Sequence, residues 1–246
     1  MPGKRSQQNL SATTGSETGL ARSGRLYVVA VPIGDLDDLT IRAIRILKTV
    51  DIIASEDPQV TQRLLSHHQI ERRVISYGPY NLKEKVEVLL QRLQQGATVA
   101  LVSDCGSPLI ADPGHLLVAA AHANHIPVIP VPGPSAVIAA LSTTGLPCDS
   151  FFFLGHLPNN PARILRCLTN ALKRDVPTMV FCTATSVVCA LRVLIRLAPR
   201  RRIVVACDLT RANERILSGT ARRISQDLTG IQGQDMTLIV AGEKGR

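Results

Sequence analysis

The segment with the most potential for chemistry covers residues 99–114 and reads VALVSDCGSPLIADPG. A short apolar run ends at Ser103 and Asp104, and a loop with Gly106, Pro108 and a second acid follows. A buried strand, a small-residue loop and a new helix form ligand sites at the carboxyl ends of strands in open α/β sheets. A plain strand-to-helix turn rarely needs two small-residue clusters and two acids, so the segment predicts a ligand site.

Three more apolar runs end in clusters of Gly, Pro, Ser or acidic residues, at 32–35, 55–58 and 132–135. The carboxyl ends of parallel strands lie at one edge of a sheet. We therefore expect these three loops and the loop in segment 99–114 to converge on one crevice. At the end of segment 99–114, Asp112 suits a helix N-cap and Pro113 suits the first helical turn.

The elements that must position these loops form an α/β fold. Strand-like runs alternate with helical patterns over about residues 25–145, which predicts a largely parallel sheet. Beyond residue 148, further strands and basic helices predict a second, mixed α/β domain. We therefore expect a disordered basic arm over 1–24, one domain over 25–147 and another over 148–246.

Charge is distributed unevenly along the chain. The chain of 246 residues has a formal net charge of +9. Residues 159–223 carry thirteen basic and three acidic side chains, whereas residues 26–158 are slightly acidic. A concentrated basic surface favours a polyanion such as RNA, although solubilising charge on exposed helices is the simpler alternative. Aromatic residues make up only 3%, with no Trp, which weakens the case for serial base stacking on single strands.

The sequence offers little support for a metal site or a membrane span. The six cysteines form no CxxC pair and no zinc-spaced cluster, which predicts reduced thiols in a cytoplasmic protein and no metal. No apolar stretch approaches the ~18 residues of a membrane span, so we expect no membrane association.

The phosphate-binding patterns GxxxxGK[ST] and GxGxxG are absent, and the strand-end loops contain few cations. They suit a ligand with little phosphate, held by backbone contacts and apolar packing.

The motifs taken together resemble the tetrapyrrole methylase superfamily of S-adenosylmethionine-dependent methyltransferases. Within it, the chain is similar to the branch that methylates small-subunit ribosomal RNA, called methyltransferase I. The matching segments, which appear in the expected order over most of residues 25–158, are Leu26–Leu36, Ala54–Asp57, Leu101–Ile110 with Asp112–Gly114, and Val131–Ala136.

This resemblance implies two α/β domains with the methyl donor, S-adenosylmethionine, in the cleft between them. It also implies a homodimer and 2′-O-methylation of a cytidine ribose in the decoding region of 16S rRNA, as naked RNA or in the assembled small subunit. The donor-binding candidates that it implies are Pro32, Ile33, Gly34, Ser103, Asp104, Gly106, Ser107, Ile110, Pro134, Ser135 and Ala136.

The second domain departs from the family pattern at charged positions. The chain has His156-Leu157-Pro158 where the family tends to have Phe-Leu-Pro, and Phe181–Val187 lacks a Glu and an Arg. These departures make a catalytically impaired RNA-binding paralogue an alternative. A small-molecule, tetrapyrrole-like methylase of the same superfamily is a second alternative, which the basic second domain disfavours. No general base is assigned. The basic residues that are candidates for RNA-backbone contacts are Arg163, Arg166, Lys173, Arg174, Arg200, Arg201, Arg202, Arg222 and Arg223.

Overall fold

The strands of the protein form two five-stranded sheets, seen in a computed structural model that describes residues 24–78, 80–112, 114–228 and 235–243. The predicted arm over 1–24 lies outside the described residues except for Gly24. The first sheet contains β1 (Arg25–Val29), β2 (Ile52–Ser55), β3 (Val74–Ser76), β4 (Thr98–Val102) and β5 (Val128–Val131). The second contains β6 (Phe152–His156), β7 (Thr178–Cys182), β8 (Arg202–Cys207), β9 (Arg215–Thr220) and β10 (Met236–Val240).

Helices cover both faces of each sheet. In the described part of the chain they are α1 (Ile41–Thr49), α2 (Pro58–His67), α3 (Leu82–Gln94), α4 (His115–Ala123), α5 (Ala136–Ser142), α6 (Pro161–Leu172), α7 (Ala184–Leu197) and α8 (Ala221–Asp227). The first sheet packs against α1 and α2 on one face and against α3 and α4 on the other. The second sheet packs against α6, α7 and α8 on one face.

Helix α5 follows the first sheet in the chain but packs against the second. Val137, Ala140 and Leu141 of α5 are buried with Met179 and Ile239 of the second sheet. The segment directly after β5 therefore joins the two sheets through an apolar core. This packing brings the carboxyl edge of the first sheet close to the second sheet.

All strand pairs of the first sheet are parallel, in the order β3-β2-β4-β1-β5. Strands β2 and β4 are buried apolar runs because helices cover both sheet faces. Strand β5 lies at the edge, where Pro130 is tolerated although it cannot donate to a neighbouring strand. The second sheet has the order β6-β7-β10-β8-β9, with β6 and β7 parallel and the remaining pairs antiparallel. The predicted fold class, one mainly parallel and one mixed α/β sheet, is confirmed.

Side-chain caps order the starts of several helices, but the one N-cap that the sequence predicts is not among them. Asp57 Oδ1 accepts a hydrogen bond from the Gln59 amide at 2.8 Å, with Pro58 in the first turn of α2. The prediction that Asp112 is the N-cap of α4 is wrong, because α4 begins at His115 and its N-cap is Gly114. Asp112 Oδ1 instead accepts from the Gly114 amide at 3.0 Å, which orders the turn before the helix. Pro113 lies outside the described residues.

Candidate functional site

A cavity of about 370 Å³ lies between the carboxyl edge of the first sheet and the second sheet. Loops that follow β1, β2, β4 and β5 all contribute to its lining. The structure therefore brings the four strand-end clusters together. Eight of the predicted donor-site residues line this cavity: Ile33, Ser103, Asp104, Gly106, Ser107, Ile110, Ser135 and Ala136.

The other three predicted residues lie beside the cavity and not in its lining. Pro32 contributes to a separate small pocket of about 40 Å³. Gly34 lies against the second-sheet loop, since an added Cβ would meet the Leu209 carbonyl oxygen at 2.5 Å. The Pro134 carbonyl accepts a hydrogen bond from Ser107 Oγ at 3.2 Å and so holds a cavity side chain in place.

The loop after β4 is held in a tight turn by its own polar groups. The buried Ser103 hydroxyl lies 3.2 Å from both the Cys105 and the Gly106 carbonyl oxygens. Gly106 adopts a φ of +73°, a conformation that favours glycine. Gly106 and Val31 exchange backbone hydrogen bonds of 3.1 and 2.9 Å, which join the loops after β4 and β1. The two loops thus form one continuous floor.

Asp104 connects the loops after β4 and β2. Its Oδ1 accepts a hydrogen bond from the Asp57 amide at 2.9 Å, while the side chain itself is exposed at the cavity. Asp104 therefore positions the neighbouring loop and also presents negative charge to any occupant of the cavity.

Three carboxyl groups line the first-sheet side of the cavity, those of Glu56, Asp104 and Asp112. Burial, and then the charges of Asp112, Asp104 and Asp57, raise the pKa of Glu56. Burial also raises the pKa of Asp112, and the hydrogen bond from Gly114 partly opposes this effect. Asp112 Oδ2 is buried and has no hydrogen-bond partner among the described residues. These groups give this side of the cavity a negative potential that suits a cation.

The opposite wall comes from the second sheet and was not predicted as a site. It includes the ends of β6 and β7, the loop after β8 and the start of β10, and its polar members are His156, Cys182, Thr183, Arg211, Asp235 and Thr237. The only signal for them in the sequence is indirect, because several fall in segments that depart from the family pattern. Their role depends on contacts between distant parts of the chain.

The loop after β8 also contacts the first sheet directly. Thr210 Oγ1 accepts a hydrogen bond from the Asp35 amide at 2.9 Å. Asp208 and Thr210 adopt φ values of 46° and 63°, and the Glu214 carboxylate accepts from the Thr210 amide at 2.6 Å. Asn213 donates to the buried Asp208 carboxylate at 2.6 Å, which further orders the loop.

None of the nine predicted RNA-contact residues is among those that line the cavity. Arg174 lies over the Phe152 ring, with 3.5 Å between the guanidinium carbon and the ring centroid. Arg201 donates to the Ala241 carbonyl at 3.2 Å, and Arg202 donates to the Thr144 carbonyl at 3.0 Å. These three side chains therefore have structural contacts within the protein. The exposed candidates on or near the helical layer of the second sheet are Arg163, Arg166, Lys173, Arg200, Arg222 and Arg223.

The six cysteines are free thiols. Burial raises the pKa of Cys182 to about 12 and that of Cys207 to about 11, so both thiols are protonated at neutral pH. Within the described ranges, no group of three or more His, Cys, Asp or Glu side chains is arranged to hold a metal ion. No helix in the described part of the chain has the length and apolar character needed to cross a membrane.

The family model and the similar proteins of known name agree on one family for this chain. Residues 25–225 match the model of the tetrapyrrole (corrin/porphyrin) methylases. A protein of Xylella fastidiosa named ribosomal RNA small subunit methyltransferase I is 41% identical over 91% of this chain and 83% of its own length. The protein of that name from Escherichia coli O157:H7 is 38% identical over 91% of this chain and 79% of its own length.

Solved structures share the two-sheet architecture. A cobalt precorrin-4 methyltransferase of cobalamin biosynthesis has a TM-score of 0.65 at 19% identity, over 90% of this chain and 96% of that one. Uroporphyrin-III C-methyl transferase from Thermus thermophilus, complexed with S-adenyl homocysteine, has a TM-score of 0.60 at 20% identity, over 90% of this chain and 98% of that one. At 19–20% sequence identity, the similarity to these structures establishes a shared fold and no more.

Proposed function

Because the chain belongs to the tetrapyrrole methylase family and, within it, to the ribosomal RNA small subunit methyltransferase I group, we propose that it methylates small-subunit rRNA. It is an S-adenosylmethionine-dependent methyltransferase. The finer parts of the proposal are the acceptor atom, a cytidine ribose 2′-oxygen in the decoding region, and a cytoplasmic homodimer. The convergence of four strand-end loops on one cavity is the structural observation that carries the proposal.

The cavity lining fits S-adenosylmethionine. Its volume of about 370 Å³ lies within the range of about 300–1,000 Å³ common for small-molecule sites. Ile33, Val137, Leu209 and Met236 offer apolar surface to an adenine ring. The carboxyl groups of the first-sheet side complement the positive charges of a sulfonium and an ammonium group. Few cations line the cavity, which agrees with a ligand that carries no phosphate.

The contribution of the protein to the reaction is alignment. When bound, S-adenosylmethionine supplies an activated methyl group on a positively charged sulfur, which is a good leaving group. Ser103, Gly106 and their hydrogen bonds fix the loop after β4, which would hold the donor, and Asp104 holds the adjacent loop. Holding donor and acceptor in an in-line geometry removes most of the entropic cost of the encounter.

The acceptor enters from the second-sheet side in this proposal. Ribose hydroxyls of RNA are neutral, so affinity must come from phosphate and base contacts elsewhere on the surface. The exposed basic side chains on the helical layer, such as Arg163 and Arg166, supply phosphate contacts. A small tetrapyrrole acceptor would not need this basic layer, which favours RNA.

The decisive experiment is a methyl-transfer assay with labelled S-adenosylmethionine and small ribosomal subunits, or RNA, that lack the modification. Label on a cytidine 2′-oxygen supports the full proposal. Donor binding and salt-sensitive RNA binding without transfer would instead identify the impaired paralogue. Absence of donor binding would contradict the assignment of the cavity. Light scattering tests the homodimer by the molar mass in solution.

A further inference from the structure

Three aromatic rings cluster on the second-sheet side of the cavity. The ring centroids of His156 and Phe181 are 5.4 Å apart at an interplanar angle of 60°, and those of Phe153 and Phe181 are 4.9 Å apart at 68°. His156 and Phe181 both line the cavity. The whole chain has only four Phe, three Tyr and no Trp, so this cluster concentrates a scarce kind of side chain at one place.

A bulge in β6 creates this arrangement. Phe153 pairs with Met179 and His156 pairs with Phe181, so three steps along β6 correspond to two steps along β7. In a regular strand, residues three apart point to opposite faces of the sheet. The extra residue returns His156 to the face that carries Phe153. Gly155 within the bulge has a φ of +75°, which favours glycine.

His156 lines the cavity and is exposed, so its ring is accessible from solvent. Phe181 is half-buried against Phe153, whereas His156, at the end of β6, is exposed. The ring contact of His156 in the described structure is with Phe181, which lies to one side of it. An exposed ring that is backed by another aromatic ring is a stacking surface for a planar group, and nucleobases stack on such rings with useful affinity.

We propose that His156, supported by Phe181, stacks against a nucleobase of the RNA acceptor and so fixes the position of the nucleotide to be methylated. This inference rests on the proposed function, because it names the acceptor contact of the same cavity. The residues suited to the donor lie on the first-sheet side, where Ser103 and Gly106 are buried. His156 lies on the opposite, exposed rim, where a macromolecular acceptor has access.

The test compares His156→Ala and His156→Phe with the wild-type protein. His122→Ala serves as the matched control, because His122 is an exposed histidine on α4 that is not among the cavity-lining residues. Three quantities are measured for each protein: KM and kcat with unmodified small subunits, subunit affinity by filter binding with S-adenosylhomocysteine present, and S-adenosylhomocysteine affinity by calorimetry.

We expect His156→Ala to raise the KM and the dissociation constant for subunits at least about fivefold. Donor affinity and the thermal midpoint should stay at the wild-type values, and His156→Phe should restore subunit affinity to within about twofold because it retains a ring. Unchanged subunit affinity in His156→Ala would overturn the inference. So would a loss of donor affinity, which would assign the ring to the donor adenine, or a failure of His156→Phe to rescue.

Failure of the proposed function has a different signature. A wild-type protein that transfers no methyl group would contradict the proposed activity, while the filter-binding comparison would still decide the role of His156. If the wild-type protein neither transfers methyl groups nor binds subunits, both the proposed function and the inference are wrong.

Discussion

Arg211 donates a hydrogen bond from Nη2 to Asp235 Oδ2 at 2.8 Å, and both side chains line the cavity. Arg211 lies in the loop after β8, and Asp235 directly precedes β10. The ion pair therefore fixes the direction of a cationic side chain on the second-sheet wall of the cavity. The two side chains are 43% and 70% exposed, so the pair contributes little to folding stability.

Replacement of Arg211 by Ala should therefore reduce activity and leave stability nearly unchanged. We expect kcat/KM to fall at least about tenfold, because loss of a charge-assisted hydrogen bond from Arg211 to the acceptor would cost about 1.5–3 kcal/mol. The thermal midpoint should change by no more than about 3 °C. Arg192→Ala, an exposed arginine on α7, is the control. Wild-type kcat/KM in Arg211→Ala would show that this side chain takes no part in the reaction.

A methyl group at Gly34 should separate the two walls of the cavity. The added Cβ would lie 2.5 Å from the Leu209 carbonyl oxygen and 2.7 Å from Thr210 Oγ1, so one of the two loops must move. Overpacking of this kind costs about 1–3 kcal/mol. Gly34→Ala should thus lower the thermal midpoint and weaken donor binding measured by calorimetry. Asp38→Ala, an exposed change nearby, should do neither, and equal behaviour of the two variants would contradict this prediction.

The raised pKa of Glu56 predicts opposite pH effects on donor binding and on stability. Its folded-state pKa lies above the ordinary value of 4.5, so its charge opposes folding. This penalty is relieved as the pH falls through the raised pKa, and it returns as the pH rises. Acidification over the same range removes a negative charge from the cavity and should weaken binding of the cationic donor.

Glu56→Gln tests this prediction. The variant should be more stable than the wild-type protein at neutral pH, with the difference shrinking in acid, and should bind S-adenosylmethionine more weakly by on the order of tenfold or less. Thermal midpoints and calorimetric titrations across the acid range measure the two effects. A variant that binds the donor as the wild type does at every pH would show that Glu56 does not face the donor's charge.

The basic helical layer should supply affinity for RNA without supporting the fold. Combined replacement of Arg163 and Arg166 by Ala should weaken binding to small subunits and reduce the slope of log affinity against log salt by up to about one per lost phosphate contact. The matched control is Arg42→Ala with Arg45→Ala, two exposed arginines at the same spacing on α1. If both double variants weaken binding equally, the effect reflects net charge and not a specific surface.

Arg202→Ala should behave in the opposite way. Its Nη2 donates to the Thr144 carbonyl at 3.0 Å, which joins β8 to the turn after α5. We expect its loss to lower the thermal midpoint by about 2–4 °C, corresponding to about 1 kcal/mol, with a smaller effect on subunit binding than that of the Arg163 and Arg166 pair. Fluorescence melting and filter binding of the same preparations distinguish the two roles.

Local patterns in the sequence predicted much of the first sheet and of its side of the site. Strand β4 is an apolar run because helices cover both sheet faces. The loop that begins at Ser103 can turn sharply because its residues are small. The parallel arrangement alone places the ends of β1, β2, β4 and β5 at one edge. Eight of the eleven donor-site residues, which the family resemblance and not the local pattern named, lie in these loops or directly after them and line one cavity.

The opposite wall was decided by tertiary packing. His156, Arg211 and Asp235 are distant in sequence and carry no local pattern that marks a site. A bulge places His156 on the sheet face that carries Phe153. The packing of α5 on the second sheet and the contact of the loop after β8 with Asp35 bring this wall opposite the first-sheet loops. Packing also gave Arg174, Arg201 and Arg202 internal contacts, although the sequence marked them only as basic. Secondary structure depends on short-range periodicity, which the sequence displays directly, whereas the partners of a side chain depend on long-range contacts that form only in the folded protein.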